Sequence, residues 1–167
     1  MLPQNLILIG MPASGKSTLG VMAAKALGWD FLDTDVFIQT QEGRKLRDII
    51  QAEGIDAFRA LENRYVRQLH VNECVIATGG SVVFGSEAMA HLGEIGHIVW
   101  LKVSLDELQR RIGDIVERGV IHRPGQTLAD ILSEREALYR QYAQTVIDCT
   151  NQTPEQLVRD LIRCVSS

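Results

Sequence analysis

Apolar residues along this chain fall into two alternating kinds of stretch. Short continuous runs occupy residues 5–10 (NLILIG), 74–83 (CVIATGGSVV), 97–103 (HIVWLKV) and 145–150 (TVIDCT), with a shorter one in 30–37 (DFLDTDVF). Each reads as a strand, the second as a continuous buried one that runs into two glycines. Between them apolar residues recur at helical spacing. Residues 18–28 are rich in helix formers and end at Gly28, a natural cap. A short helix is expected at about 36–41, up to the break at Gly43.

Leu46, Ile49 and Ile50, then Phe58, Leu61, Tyr65 and Leu69, predict two helices between 45 and 71, parted by Gly54. Further helices are predicted at 87–92, after Ser104 with Glu107 closing a capping box, at 127–142, and from Pro154 onward. Strands alternating with helices give a three-layer α/β/α sandwich around a parallel sheet of about five strands. At 167 residues one domain spans 1–167. Residues 113–126 (GDIVERGVIHRPGQ) break the periodicity, with three glycines and a proline, and are expected to form a mobile loop.

A 46% hydrophobic composition is ample for a core, whereas a net charge of −4 and only 5% aromatic residues argue against nucleic-acid or anionic-membrane partners. The apolar start is too short for a signal-peptide core, and no later run reaches membrane-spanning length. Cys74, Cys149 and Cys164 lack metal or redox spacing and are expected to be reduced. These features together predict a cytoplasmic protein that works as a monomer on a small molecule.

The sharpest chemical signal is GMPASGKST, residues 10–18, which follows the first strand and opens the first helix. It fits G-x-x-x-x-G-K-[ST], in which glycines let the backbone approach a polyphosphate and successive N–H groups point at its oxygens. Gly10, Pro12, Ala13, Ser14, Gly15 and Thr18 would form that cradle, with Lys16 on the β- and γ-phosphates of ATP and the Ser17 hydroxyl on Mg2+. Asp33 and Asp35 lie two apart at the end of the second strand, a spacing expected to send both carboxylates into one crevice. Beside a phosphate loop they suit metal holding and proton acceptance; alone, such aspartates often only cap the next helix. Arg59 and Arg135 could grip a carboxylate with planar guanidinium forks, and Arg123 could swing over the phosphates from the glycine-rich loop. His122 reads as a surface residue.

Several of these segments resemble the shikimate kinase family. They are the phosphate loop, DTD (33–35), FRALE (58–62), ATGG (77–80), an Arg-Pro pair at 123–124, EREALYR (134–140) and the late turn NQTP (151–154). The resemblance covers nearly the whole chain, in order. It implies the nucleoside-monophosphate-kinase-like P-loop fold, with substrate-binding helices at about 35–70 and a lid at about 113–126. It further implies an enzyme that moves the γ-phosphate of ATP to the 3-hydroxyl of shikimate with Mg2+. By resemblance Lys16 and Ser17 hold phosphates and Mg2+, and Asp33 holds the metal through water. Asp35 binds substrate hydroxyls and acts as base, while Arg59 and Arg135 grip the carboxylate. Gly79 and Gly80 meet substrate through their backbones. Arg123 is the lid arginine, Arg111 lies near adenine, and the turn carrying Gln152 closes the other side of that ring.

The chain departs from the family pattern twice. Ser81 stands where a third consecutive glycine is usual, and the stretch between Arg111 and Arg123 is longer, without the two leucines that usually follow the Arg-Pro pair. A kinase of another small hydroxy acid such as gluconate, or a nucleotide-binding protein without catalysis, therefore remains an alternative reading.

Overall fold

The structure is a computed structural model that describes residues 4–113 and 119–166. Part of the expected lid, 114–118, lies outside the described residues, as do the first three residues used in the signal-peptide reading. The elements follow in the order β1 (Asn5–Ile9), α1 (Lys16–Leu27), β2 (Asp30–Asp33), α2 (Thr34–Glu42), α3 (Leu46–Glu53), α4 (Ile55–Arg67), β3 (Cys74–Ala77), α5 (Ser86–Ile95), β4 (His97–Lys102), α6 (Leu105–Ile112), α7 (Leu128–Tyr142), β5 (Thr145–Asp148) and α8 (Pro154–Arg163). A single 3-10 turn, Val82–Phe84, follows β3. Among the described residues no helix is long and apolar enough to cross a membrane.

The five strands form one parallel sheet in the order β2-β3-β1-β4-β5. β1 is central and all five of its residues are buried, which explains why Leu6–Ile9 are apolar without alternation. Helices α1 and α8 pack together, as do α4 and α5, and these layers enclose the sheet. Because strand order reverses on either side of β1, the loops after β1 and β3 emerge side by side at the carboxyl edge, where open α/β sheets bind ligands. Leu8 pairs with Ala77 there, and the Thr78 hydroxyl donates to the Leu8 carbonyl at 2.8 Å, stitching the two loops at their roots.

The opposite edge is held by one residue that its sequence context does not single out. Asn5, 1% exposed, donates through Nδ2 to the carbonyls of Val71 and Ile95, both at 2.8 Å, and accepts from the Cys74 amide at 3.0 Å. One amide thus ties the starts of three neighbouring strands.

Gly28 caps α1 in the left-handed region as expected, and α8 starts at Pro154. Four local expectations need correcting. The second strand stops at Asp33 and α2 begins at Thr34, so Asp35 lies in a first helical turn instead of alternating along a strand. Helix α2 accordingly starts earlier than 36, because Asp33 caps it, its Oδ1 accepting from the amides of Asp35 and Val36. The third strand ends at Ala77, before the glycines, because the chain there turns into the 3-10 segment. Ser104 does cap α6, but Glu107 does not complete a box, since its carboxylate goes to Arg110 and Arg111 one turn on. Complete capping boxes occur instead at Thr127/Asp130 and Thr153/Gln156.

Replacing Asn5 by Ala leaves two carbonyls and one amide without partners in the core. We expect a loss of about 2–4 kcal/mol in urea denaturation, with the fold retained in far-ultraviolet circular dichroism.

Candidate active site

The loop after β1 folds around a buried ammonium group. Lys16 is 8% exposed, and its Nζ donates to the carbonyls of Gly10 and Met11, each at 2.8 Å. Burial pulls this lysine down to about 8, although the charge of Asp35 works the other way. Gly10 adopts φ 149°, and a Cβ there would come within 2.8 Å of the Leu101 carbonyl; only glycine permits this close turn. Ala13, at φ 65°, is held in a left-handed conformation at the tip of the loop. At its outer rim the Ser17 hydroxyl donates to Asp33 Oδ2 at 2.8 Å. Asp33 thus caps α2 with one oxygen and holds the Ser17 hydroxyl with the other.

Asp35, carried on the first turn of α2, faces the loop after β3. Burial, followed by the neighbouring charge of Asp33, pushes its carboxyl up to about 6 against the pull of Lys16. A Cβ on Gly79 would sit 2.6 Å from Asp35 Oδ1 and 2.8 Å from Glu62 Oε2, so two carboxyl groups meet over a residue that has no side chain. Thr34 Oγ1 accepts from the Gly79 amide, the Gly79 carbonyl accepts from the Val82 amide, and the Tyr139 hydroxyl donates to the Gly80 carbonyl at 2.6 Å.

Glu62 lies on α4, one turn beyond Arg59, and is 2% exposed. Ser81 Oγ donates to its Oε1 at 3.1 Å, whereas Oε2 is buried without a hydrogen-bond partner. Burial and then the charge of Asp35 raise Glu62 to about 8. Two guanidinium groups lie nearby. Arg135, from α7, is 2% exposed; its Nη2 donates to the Ile121 carbonyl at 2.6 Å and its Nε is buried without a partner. Arg59 has its Cζ 3.9 Å from the centre of the Phe84 ring, with Arg135 Cζ 5.8 Å from the same centre, and its Nε too is buried and unpartnered. Burial first and then the charge of Arg135 pull Arg59 below the usual guanidinium range.

A cavity of about 630 Å³ runs from Lys16 and Ser17 past Asp33 and Asp35 to Gly79, Gly80, Ser81 and Arg135, whereas Arg59 and Glu62 do not line it. Pro12, Ala13, Gly15 and Thr18 also line it, so the phosphate loop and the carboxylate pair share one space. Its outer wall combines Leu46, Ile50 and Ile55 with Val120, Ile121 and His122. His122, expected at the surface, is only partly buried but does face this cavity.

Other expected site residues lie off the cavity wall. Arg111 reaches the phosphate loop from outside, its Nη1 donating to the Ala13 carbonyl at 3.0 Å and its Nε to Glu107. Gln152 closes its own turn by donating to the Asp148 carbonyl. Exposed Arg123 pairs with Asp56 at 2.8 Å, at the start of α4.

Glu62, Thr34, Phe84 and Tyr139 escaped the sequence reading as site residues. For Glu62 a signal existed, since its place three residues after Arg59 puts both on one helical face. Nothing local marks the other three. The donors at Ser17 and Asp33 are hard oxygens beside a phosphate cradle, a set that suits Mg2+ held largely through phosphates and water. No cluster of three or more His, Cys, Asp or Glu side chains able to hold a metal unaided occurs among the described residues.

A phosphate loop feeding into an acid- and arginine-lined pocket on a parallel sheet defines a P-loop kinase with a small-molecule acceptor. Comparison with known proteins narrows this class. The family model described as shikimate kinase matches residues 12–166. Shikimate kinase 2 of Yersinia pseudotuberculosis is 33% identical over 98% of this chain and 96% of its own length. The structure of a shikimate kinase from Acinetobacter baumannii, in complex with shikimate, superposes with a TM-score of 0.87 at 30% identity, covering 98% of this chain and 92% of that one. A second, from Aquifex aeolicus, gives 0.82 at 28% identity over 96% and 95%. The chain belongs to the shikimate kinase family, a family of ATP-dependent kinases.

The raised carboxyl groups carry a stability signature. Glu62 stays protonated in the folded chain up to about pH 8 but ionises near 4.5 when unfolded, so the native state binds the extra proton and stability falls as pH rises through that window. Glu62→Gln removes this loss while leaving an oxygen to accept from Ser81. We expect the variant to gain on the order of 1–3 kcal/mol over the wild type at pH 8 and nothing at pH 4, read from urea midpoints.

Proposed function

We propose that this protein is a shikimate kinase that transfers the γ-phosphate of ATP to the 3-hydroxyl of shikimate. The observation that carries this is the pair of guanidinium groups at the Phe84 ring, of which Arg135 lines the cavity that Asp35 also lines. Arg59 and Arg135 flank one aromatic ring, repel each other, and each retain a buried Nε without a partner. A carboxylate would satisfy both forks at once, and a hydroxyl held on the same small acid would then lie toward Asp35.

On this reading Asp35 orients that hydroxyl and takes its proton. A carboxyl group held near 6 is largely ionised at neutral pH yet basic enough to accept a proton as the oxygen attacks. The phosphate-loop amides and Lys16 cradle the nucleotide phosphates, the ammonium exchanging its bonds to the Gly10 and Met11 carbonyls for phosphate oxygens. Ser17 and, through water, Asp33 would hold Mg2+, which would supply neutralising charge to those phosphates. Gly79 and Gly80, on the cavity wall, meet the acceptor through their backbones. Arg111 and the Gln152 turn flank the adenine. Arg123 leaves Asp56 to reach the phosphates when the loop closes; an exposed ion pair of this kind costs under about 1 kcal/mol to break.

A coupled ADP-release assay with ATP and Mg2+ tests this reading. Release is expected with shikimate and to be far weaker with quinate, gluconate or no acceptor; equal rates with gluconate, or no release above background with any acceptor, would contradict it. Asp35→Asn is expected to lower kcat at least about a hundredfold while ATP affinity, measured calorimetrically, changes little.

A further inference from the structure

The phosphate loop is held from outside as well as from within. Lys16 ties down the carbonyls of Gly10 and Met11 at its root. At its exposed tip Ala13 keeps φ 65°, a left-handed backbone that a residue with a side chain adopts only at some cost. The Ala13 carbonyl accepts from Arg111 Nη1 at 3.0 Å, across 98 residues of chain. The Ser14 amide in the same peptide unit points the other way, donating to the Met11 carbonyl at 3.1 Å. Together the two bonds fix the peptide plane at the tip.

Arg111 is itself braced. It lies in the last turn of α6, a favourable end for a cation, and its Nε donates to Glu107 Oε1 at 2.9 Å. A guanidinium bonded through two of its nitrogens has a fixed plane, which a lysine ammonium cannot reproduce. We propose that Arg111 is a positioning residue: braced by Glu107, it holds the Ala13 carbonyl outward and keeps the phosphate loop in its polyphosphate-binding shape, independently of any contact with the nucleotide base. Lys16 cannot do this alone, because its ammonium leaves the loop carbonyls for the phosphates when a nucleotide binds. Arg111 does not line the cavity, so its tie to the loop stays in place. Without that tie the strained tip relaxes, and binding has to order it again.

This inference rests on the loop binding nucleotide phosphates, and the test separates the two. Affinities for Mg2+–ATP and for Mg2+–tripolyphosphate, a chain of phosphates without a base, are measured calorimetrically for the wild type, Arg111→Lys, Arg111→Met and Glu107→Ala. KM for ATP and for shikimate is read alongside. Glu107→Ala keeps Arg111 and the backbone bond to the Ser104 cap, and releases only the brace. Both Arg111 variants are expected to weaken ATP and tripolyphosphate by the same factor, about fivefold, and Glu107→Ala to weaken both by about twofold. KM for shikimate and the thermal midpoint are expected to hold steady. Wild-type affinity in Arg111→Lys, a loss confined to ATP, no loss with either probe, or a wild type that binds ATP but not tripolyphosphate would overturn the role of Arg111 while leaving the kinase reading standing. A wild type that binds neither would overturn the reading of the loop as well.

Discussion

Charge taken out of water has to be matched by opposite charge or by hydrogen bonds, and this molecule gathers more of it at one sheet edge than its own side chains match. Lys16, Glu62 and Arg135 are each 8% exposed or less, with Asp35 and Arg59 partly buried beside them. Lys16 satisfies itself on loop carbonyls, and Glu62 is half satisfied by Ser81. The Nε atoms of both arginines and one oxygen of Glu62 are not satisfied at all. Asp35 pushed up to about 6 and Lys16 pulled down to about 8 both titrate near neutral pH, where such groups can exchange protons and partners with a ligand.

Topology explains how so many charges converge. Reversal of strand order about β1 sets the loops after β1 and β3 next to each other, and the backbone at Gly79 and Gly80 is fixed by Thr34, Val82 and Tyr139 from three other segments. With no Cβ at position 79, Asp35 from α2 and Glu62 from α4 approach the same point from different elements. The turn that follows delivers the Ser81 hydroxyl to Glu62 and the Phe84 ring to the face of Arg59. One short connection therefore serves both the carboxyl groups and the guanidinium groups.

Local patterns were readable from the amino-acid sequence, and long-range pairings were not. The phosphate loop, the break at Gly54 and the starts of α7 and α8 follow from residues within a few positions of one another. Asp35 was placed in the right crevice for the wrong reason, because capping by Asp33 began a helix where strand alternation was expected. Glu107 misled in the same way, its carboxylate preferring two arginines a turn away to its own helix start. Ser81 and Glu62 are 19 residues apart, Arg123 and Asp56 are 67, and Asn5 bridges segments 66 and 90 residues away. No short-range rule links such pairs; only the folded chain brings them together.

The central claim is that unmatched charge at this edge is completed by an acidic acceptor seated between the arginines and the carboxylates. The most direct measurement is a crystal structure of the protein with a non-hydrolysable ATP analogue, Mg2+ and shikimate. We expect the shikimate carboxylate between the Arg59 and Arg135 guanidinium groups, with a ring hydroxyl hydrogen-bonded to Asp35 on the side facing the γ-phosphate. A carboxylate bound elsewhere, with the Nε atoms of both arginines still unpaired, would contradict it.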